Sequence, residues 1–530
     1  MEFSLSKYAV DGTKKIVYNI LNVKIRRKQM KNGIITRFLA LILALSSIFL
    51  ASCNGEKKCG GNHKDKNDDG FCDNCNRLVL VYFDLYALND LHGKFSDTDS
   101  QPGVDELTTY FEQARAKNPN TVLLASGDMW QGSPESNLTS GNMMTEWMNR
   151  VGFVSMTLGN HEFDWGEEAI IENEELAEFP FLAINIYDRD TNKQVEYCES
   201  SVVVELNGVT VGIIGAIGDC YSSISPDKVE DVYFKTGDEL TELVKAESER
   251  LREEEGVEFI VYSLHDGGTN GSVNYGTSYY DITLSRGYVD LVFEGHTHRS
   301  YAKPDDEGIW HLQGGGDNDG ITYASARYNT ANGNKAVTEA KFIKTNEYYQ
   351  LPDSPIVNEL LNKYKDEIAA GDEVLGTTPT WRSSDYLRDV IAQLYYEKGV
   401  ELWGDEYDIV LGGGYMSARS PYDLEAGEIR YGDLYSIFPF DNNLVLCSIK
   451  GSDLERRFFN TNNSNYYVYY DSYGASIKNN IDANKTYYII VDSYSSSYAP
   501  NRLTEIERYD EPVYARDLLA DYIKEGGLSH

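Results

Sequence analysis

Five short polar strings in this chain carry the residue types that bind divalent metals. They read Asn89-Asp90-Leu91-His92-Gly93, Ser126-Gly127-Asp128, Gly159-Asn160-His161-Glu162, His265-Asp266 and Gly295-His296-Thr297-His298. Of the 8 histidines in the chain, five fall in four of these strings, a concentration that would be odd for histidines that only fill a core. A mixture of imidazole and carboxylate suits zinc, manganese, cobalt or iron rather than a pure magnesium site. Two such ions about 3.5–4 Å apart clamp the attacking and leaving oxygens of an in-line phosphoryl displacement. So close a pair needs a bridging carboxylate, and Asp128, standing alone after its glycine, is the natural bridge. Asp90 and His92 are two residues apart, a spacing that projects both side chains the same way on an extended chain. Within Thr157–Gly166, His161 is a catalytic-type imidazole and Asp164 an acid that could fix its tautomer. Asp266 reads as structural, Glu162 as a turn or helix-start residue, and His311 as lying outside the ligand set.

Such residues need rigid ends to stand on. Aliphatic and β-branched runs at Leu78–Leu88, Thr121–Ala125, Val154–Leu158, Phe259–Leu264 and Val289–Glu294 predict buried strands. Val104–Ala116, Gly141–Val151 and Glu239–Glu255 carry the period of amphipathic helices. The alternation predicts α/β layers, whose sites collect past the carboxyl ends of the strands. Leu351–Pro355 reads as a proline-punctuated linker, and Val357–Ala370 as a helix ended by Gly371. A second domain then opens with a helix near Ser384–Lys398 and turns strand-rich, with the Asn/Tyr tract Asn460–Tyr473 as a surface loop.

At 530 residues the chain exceeds the size of a single core. Its net charge of −36 excludes a protein that binds a nucleic-acid polymer along its backbone, which needs a basic stripe. An anionic substrate must therefore find local positive charge, from metals or arginines, against a repelling global field.

In this order, D-x-H, G-D, G-N-H-E, a lone His and G-H-x-H resemble the calcineurin-like metallophosphatases. The fuller strings NDLHG, SGDMWQGS, TLGNHEFDWG and FEGHTH are similar to the exported 5′-nucleotidase branch, which includes UDP-sugar hydrolases and 2′,3′-cyclic phosphodiesterases/3′-nucleotidases. The resemblance implies an α/β fold, a four-layer metallophosphatase β-sandwich flanked by helices, plus a smaller α+β C-terminal substrate-binding domain. It also implies two divalent ions, one held by Asp90, His92, Asp128 and His298 and the other by Asp128, Asn160, His265 and His296. A water activated there would attack phosphorus, while His161, oriented by Asp164, would stabilise the transition state or protonate the leaving oxygen.

In the second domain, Gly412-Gly-Gly414 followed by Arg419, and Pro439-Phe440, resemble that branch's substrate-binding domain. The resemblance implies a phosphate contact at Arg419 and an aromatic wall for the base at Phe440. Arginine forks and aromatic faces suit those tasks. Arg382 matches a second substrate arginine more loosely. Two departures stand out. Four residues separate Gly414 from Arg419 where the family commonly has one, and the glycine turn that carries the second clamp aromatic is replaced by Asp492-Ser-Tyr494-Ser-Ser-Ser-Tyr498. Tyr498 or Tyr494 could serve there. The implied activity is hydrolysis of nucleoside 5′-monophosphates to nucleoside and phosphate. A non-catalytic surface nucleotide-binding lipoprotein is the alternative of another class.

The chain thus divides into an export segment at 1–53, a Cys-rich tether at 54–76, a metallophosphatase domain at 77–345, a linker and connecting helix at 346–372 and a C-terminal domain at 373–530. Arg26, Arg27, Lys28, Lys31 and Arg37 precede the apolar run Phe38–Leu50, which is the size of a signal-peptide core. Leu50-Ala51-Ser52-Cys53 resembles the bacterial lipoprotein signal, implying lipid on Cys53 and a membrane-anchored, extracytoplasmic protein of the cell envelope. Met30 stands where such a signal begins. In the tether, Cys59, His63, Cys72 and Cys75 have zinc-knuckle-like spacing, with a disulfide or an unstructured tether as alternatives. Overlapping them, Asp65-x-Asn67-x-Asp69-Gly70 matches the start of a calcium loop, but Asn76 stands where the bidentate Glu belongs.

Overall fold

A computed structural model describes residues 63–97, 102–267, 287–415, 423–460, 463–498, 501–509 and 511–529. The export segment, Cys53, Cys59 and Arg419 lie outside the described residues.

In chain order the N-terminal strands are β1 (Leu80–Leu88), β2 (Thr121–Ala125), β3 (Ser155–Thr157), β4 (Phe181–Leu182), β5 (Ile186–Asp188), β6 (Ser201–Leu206) and β7 (Val209–Ile217). They continue with β8 (Val232–Phe234), β9 (Phe259–His265), β10 (Leu291–Glu294), β11 (Ser300–Pro304), β12 (Trp310–Gly314), β13 (Gly320–Asn329) and β14 (Lys335–Lys344). Two six-stranded sheets form, ordered β14-β13-β1-β2-β3-β4 and β11-β12-β10-β9-β7-β6, and a small β5-β8 pair stands apart. β1 to β4 run parallel, as do β7, β9, β10 and β12, with antiparallel strands at the edges.

Strand alternation explains the layering. Val81, Phe83, Leu85 and Ala87 of β1 point into a core shared with Val211, Val261 and Phe293 of the opposite sheet, where Phe83 meets Phe259 edge to face at 5.3 Å. Tyr86 and Leu88, one residue out of phase, pack outward under the helices Asp105–Lys117 and Asn142–Val151. On the far side Tyr262 and Leu264 meet the helix Asp238–Glu254. The order is helices, sheet, sheet, helix, the four layers the family resemblance implies.

Between the domains the expected single helix Val357–Ala370 is broken. Ser354 caps a helix over Pro355–Lys363, accepting from the Ile356 amide at 3.3 Å. The chain leaves helical geometry at Tyr364, whose ring is buried and whose hydroxyl reaches Glu146, then continues as Lys365–Ile368 and a 3₁₀ turn over Ala369–Asp372. Val357 and Leu360 bury against the N-terminal domain, so this helix belongs to that body.

The C-terminal strands are β15 (Val374–Thr378), β16 (Ile409–Tyr415), β17 (Gly427–Arg430), β18 (Leu444–Lys450), β19 (Tyr466–Tyr469), β20 (Thr486–Asp492) and β21 (Thr504–Arg508). A five-stranded sheet ordered β19-β16-β20-β18-β21 lies under the helix Ser384–Trp403, and β15 pairs with β17. The Asn/Tyr tract expected as a loop holds edge strand β19, paired antiparallel with β16, where Tyr467 and Tyr469 pack on the side of the helix Ser384–Trp403.

Candidate active site

All five polar strings leave the carboxyl ends of parallel strands. β1 ends two residues before Asp90, β2 three before Asp128, β3 three before Asn160 and β10 two before His296, while β9 ends on His265 itself. The two sheets therefore pour their loops into one edge of the sandwich. The extended-chain reading of Asp90 and His92 does not hold. Both lie beyond β1 in the left-handed region, at φ 50° and 52°, and they converge by turning rather than by pleat alternation. Asp128, His296 and His298 share that backbone state, at φ 54°, 68° and 51°. Non-glycine residues adopt it rarely, and such strain gathers where a site over-determines it.

Atoms that could ligate metals approach each other closely. His92 Nε2 lies 3.1 Å from His298 Nε2, and His298 Nε2 lies 3.4 Å from Asp90 Oδ1. His265 Nε2 lies 3.2 Å from Asp128 Oδ2 and 3.3 Å from Asn160 Oδ1, which in turn is 2.9 Å from His296 Nδ1. Asp90, His92, Asp128, Asn160 and His265 are buried, and His298 is the most open of the set.

The donor set fits divalent ions. His92 Nδ1 donates to the Gln131 carbonyl at 2.9 Å and His265 Nδ1 to that of Ser126 at 2.7 Å, which turns each Nε2 lone pair inward. Lone pairs and carboxylates packed this densely call for cations. Burial lowers the His265 pKa, but Asp128 and Asp90 outweigh it and lift the ring to about 10. Burial and His265 push His296 down to about 4. Asp128 is held well below the carboxylate range: burial raises it, but His265, His161 and His92 prevail.

Glycines clear the space. A Cβ on Gly127 would overlap the His265 ring, and one on Gly159 would overlap both Asp128 Oδ1 and His265 Nε2. Glu162 does more than start a turn. Fully buried, it accepts from the amides of Asp128 (2.9 Å), Met129 (2.8 Å) and Gly159 (2.7 Å), tying two ligand loops together. Burial and the Asp128 carboxylate push its carboxyl up to about 7 against those donors. Asn89 positions Asp90 (2.6 Å), and Gln313 holds the His296 loop through Gly295 O at 2.9 Å. Cys220 lies among His265 and His296, its thiol donating to the His265 carbonyl at 2.9 Å. No spacing links Cys220 to either histidine, so no sequence signal marks it.

His161 Nδ1 is 3.0 Å from Asp164 Oδ2, and the His161 amide donates to Asp128 Oδ1 at 2.8 Å. Its ring stacks on Phe440 of the C-terminal domain, centroids 5.7 Å apart and planes 28° apart. A cavity of about 230 Å³ opens there, lined by Asn160, His161 and His296 on one side and Phe440, Asn442 and Tyr494 on the other. Tyr494, not Tyr498, shares it with Phe440. Tyr498 instead stacks face to face on Tyr415, at 4.3 Å and 7°. Arg382 is not brought to this cavity: it bonds Thr378 Oγ1 at 3.2 Å and lies over the Tyr386 ring. Arg516, unmarked in the sequence, is buried between the rings of Tyr435 and Tyr514 and pairs with Asp441, holding the turn that presents Phe440.

Residues 83–300 match the calcineurin-like phosphoesterase family, and residues 387–515 match the 5′-nucleotidase C-terminal domain. The protein UshA of Yersinia enterocolitica is 27% identical over 416 residues, covering 69% of this chain and 74% of that protein. A 5′-nucleotidase of Vibrio cholerae is 29% identical over 219 residues, 39% of each chain. Among solved structures, the 5′-nucleotidase precursor of Thermus thermophilus superposes with a TM-score of 0.66 at 19% identity, covering 84% of this chain and 96% of that one. The 5′-nucleotidase of Candida albicans does so at 0.60 and 16%, covering 84% and 98%.

Proposed function

The chain is a phosphoric ester hydrolase that joins a calcineurin-like phosphoesterase domain to a 5′-nucleotidase C-terminal domain, and from that premise we propose that it releases phosphate from nucleoside 5′-monophosphates in a metal-dependent reaction. The observation that carries this reading is the meeting of the ligand loops and the His161–Asp164 pair with Phe440 and Tyr494 in one cavity. Asp90, His92, Asp128 and His298 would hold one divalent ion, and Asp128, Asn160, His265 and His296 a second. When bound, such ions supply positive charge against the phosphoryl oxygens and acidify water. Asp164 fixes the His161 tautomer through Nδ1, leaving the other ring nitrogen to meet charge on phosphoryl oxygen or give a proton to the leaving alkoxide. Phe440 and Tyr494 offer aromatic faces to a base, which accept bases with little regard to identity. Arg419 is the proposed phosphate contact.

The test is product analysis with AMP, UMP, UDP-glucose and 2′,3′-cyclic AMP, with and without chelator, scoring nucleoside and phosphate from the monophosphates, UMP and glucose 1-phosphate from UDP-glucose, and 3′-AMP from the cyclic nucleotide. Release from AMP and UMP that chelator abolishes, and added manganese, zinc or cobalt restores, is expected. Preference for UDP-glucose or the cyclic nucleotide would move the assignment to the sugar-nucleotide or cyclic phosphodiesterase reading. We further propose export and lipid anchoring through Cys53, supported by the basic and apolar run that ends there. Fatty-acid labelling lost in Cys53→Ser is the expected result.

A further inference from the structure

A second set of metal-binding atoms lies far along β1 from the catalytic loops. His63, Cys72 and Cys75 bring ring nitrogen and sulfurs to within 4.8 Å of one another, with Cys75 Sγ 3.5 Å from His63 Nδ1. The turn that gathers them is built for it. Asn76 adopts φ 57°, its amide donates to Cys72 O at 2.8 Å, and the Cys72 amide donates to Arg77 O at 2.8 Å. This tight reversal brings both sulfurs to one side, within 4.8 Å of each other and of the His63 ring nitrogen.

The overlapping calcium-like motif is already spent on structure. Asp65 accepts from the amides of Asp69 (3.2 Å) and Gly70 (2.9 Å) and from Asn329 Nδ2 (2.8 Å). Asp69 accepts from Asn67 Nδ2 and the Phe71 amide. These carboxylates shape the loop and clasp the β13 end, where Arg327 also pairs with Asp68 at 3.1 Å. What is left pointing at a common centre is one imidazole and two sulfurs, a donor set that selects zinc over calcium.

We propose that His63, Cys72 and Cys75 hold a structural zinc ion, separate from the catalytic pair, that closes the 63–75 loop whose carboxylates clasp the end of β13. A stretch this short buries little apolar surface of its own, and metal binding substitutes for a core in such segments.

Cobalt substitution of the full chain in a Cys220→Ser background distinguishes this site from the catalytic one, because thiolate ligands give sulfur-to-cobalt charge-transfer absorption and Cys220 is the thiol that lies beside the catalytic histidines. The band is expected in the full chain and lost in a Cys72→Ser, Cys75→Ser double variant. That variant should hold about one zinc equivalent fewer while still hydrolysing phosphoester. Absence of the band in the parent, or equal zinc content in parent and variant, would overturn the proposal. So would mass-spectrometric detection of a Cys72–Cys75 disulfide in the freshly isolated protein. His63→Ala keeps both thiols and guards against misfolding of the double variant. A shifted band and weaker zinc retention are expected from it, and an unchanged spectrum would remove His63 from the site.

Discussion

At the scale of single residues, the centre divides into atoms that face the reaction and atoms that hold them. His161 is positioned by Asp164 and by its own amide on Asp128, outside the two proposed ligand sets. His161→Ala should therefore leave metal content unchanged and lower kcat by about 10²–10⁴, checked by metal analysis beside steady-state phosphate release. Loss of metal along with rate would assign the ring to the ligand set instead. Glu162→Gln replaces an acceptor oxygen with an NH₂ aimed at backbone amides. It should cost roughly 1–3 kcal/mol in urea unfolding and disturb both loops it ties, lowering activity. Full stability and activity in that variant would show the three amides satisfied without it. Gly159→Ala should cost more activity than its size implies, since the added methyl overlaps Asp128 and His265.

At the scale of elements, the strands were open to reading because burial on both faces leaves continuous apolar runs. Phe259–His265 and Thr121–Ala125 emerge almost residue for residue. The loops were legible in composition but not in geometry. Nothing in the string Asp90-Leu91-His92 announces two left-handed residues, because that state is imposed by the Asp128 and Gly127 carbonyls that receive the His92 and Asp90 amides. β19 was missed because tyrosines among asparagines mimic a polar loop. One buried contact between strands carries a pH dependence. His311 of β12 lies 3.6 Å from Glu294 of β10 and 3.8 Å from Asp305. Burial lowers its pKa, but Asp305 and Glu294 raise it from 6.5 to about 9. A raised imidazole stabilises the fold fully below pH 6.5 and loses that contribution as pH climbs through 9. Tm should accordingly fall more between pH 7 and 10 in the parent than in His311→Gln. Parallel decline in both would refute the charged-histidine reading.

At the scale of the whole molecule, the two domains meet across the cavity. Asn137 links them directly: its Oδ1 accepts from Gly132 N at 2.8 Å and its Nδ2 donates to Pro439 O at 2.9 Å, next to Phe440. Arg508 of β21 pairs with Asp227 at 3.0 Å on the rim. With Phe440 already in ring contact with His161, no ring fits between them, so the base of the proposed nucleotide substrate would use the side of the cavity toward Tyr494 or wait for the domains to part. A disulfide engineered to hold the domains apart is expected to abolish turnover with metal content intact and activity restored by reductant. Unimpaired turnover in the oxidised form would rule out a required closure. The second domain was the less legible one because its substrate face depends on tertiary neighbours. Arg516 reads as any helix arginine until Tyr435, Tyr514 and Asp441 surround it.

The left-handed backbone at the proposed ligands has a consequence for metal exchange. A cage whose awkward backbone is already locked by amide–carbonyl and amide–carboxylate bonds needs no folding step to accept its ions. Reloading a stripped sample should then be limited by ion arrival and dehydration, not by chain rearrangement. A glycine placed at Asp90, His92 or Asp128 would relax the chain yet remove one of the proposed donors. Evolution can therefore retune this centre from the surrounding supports, but has little freedom to ease it from within.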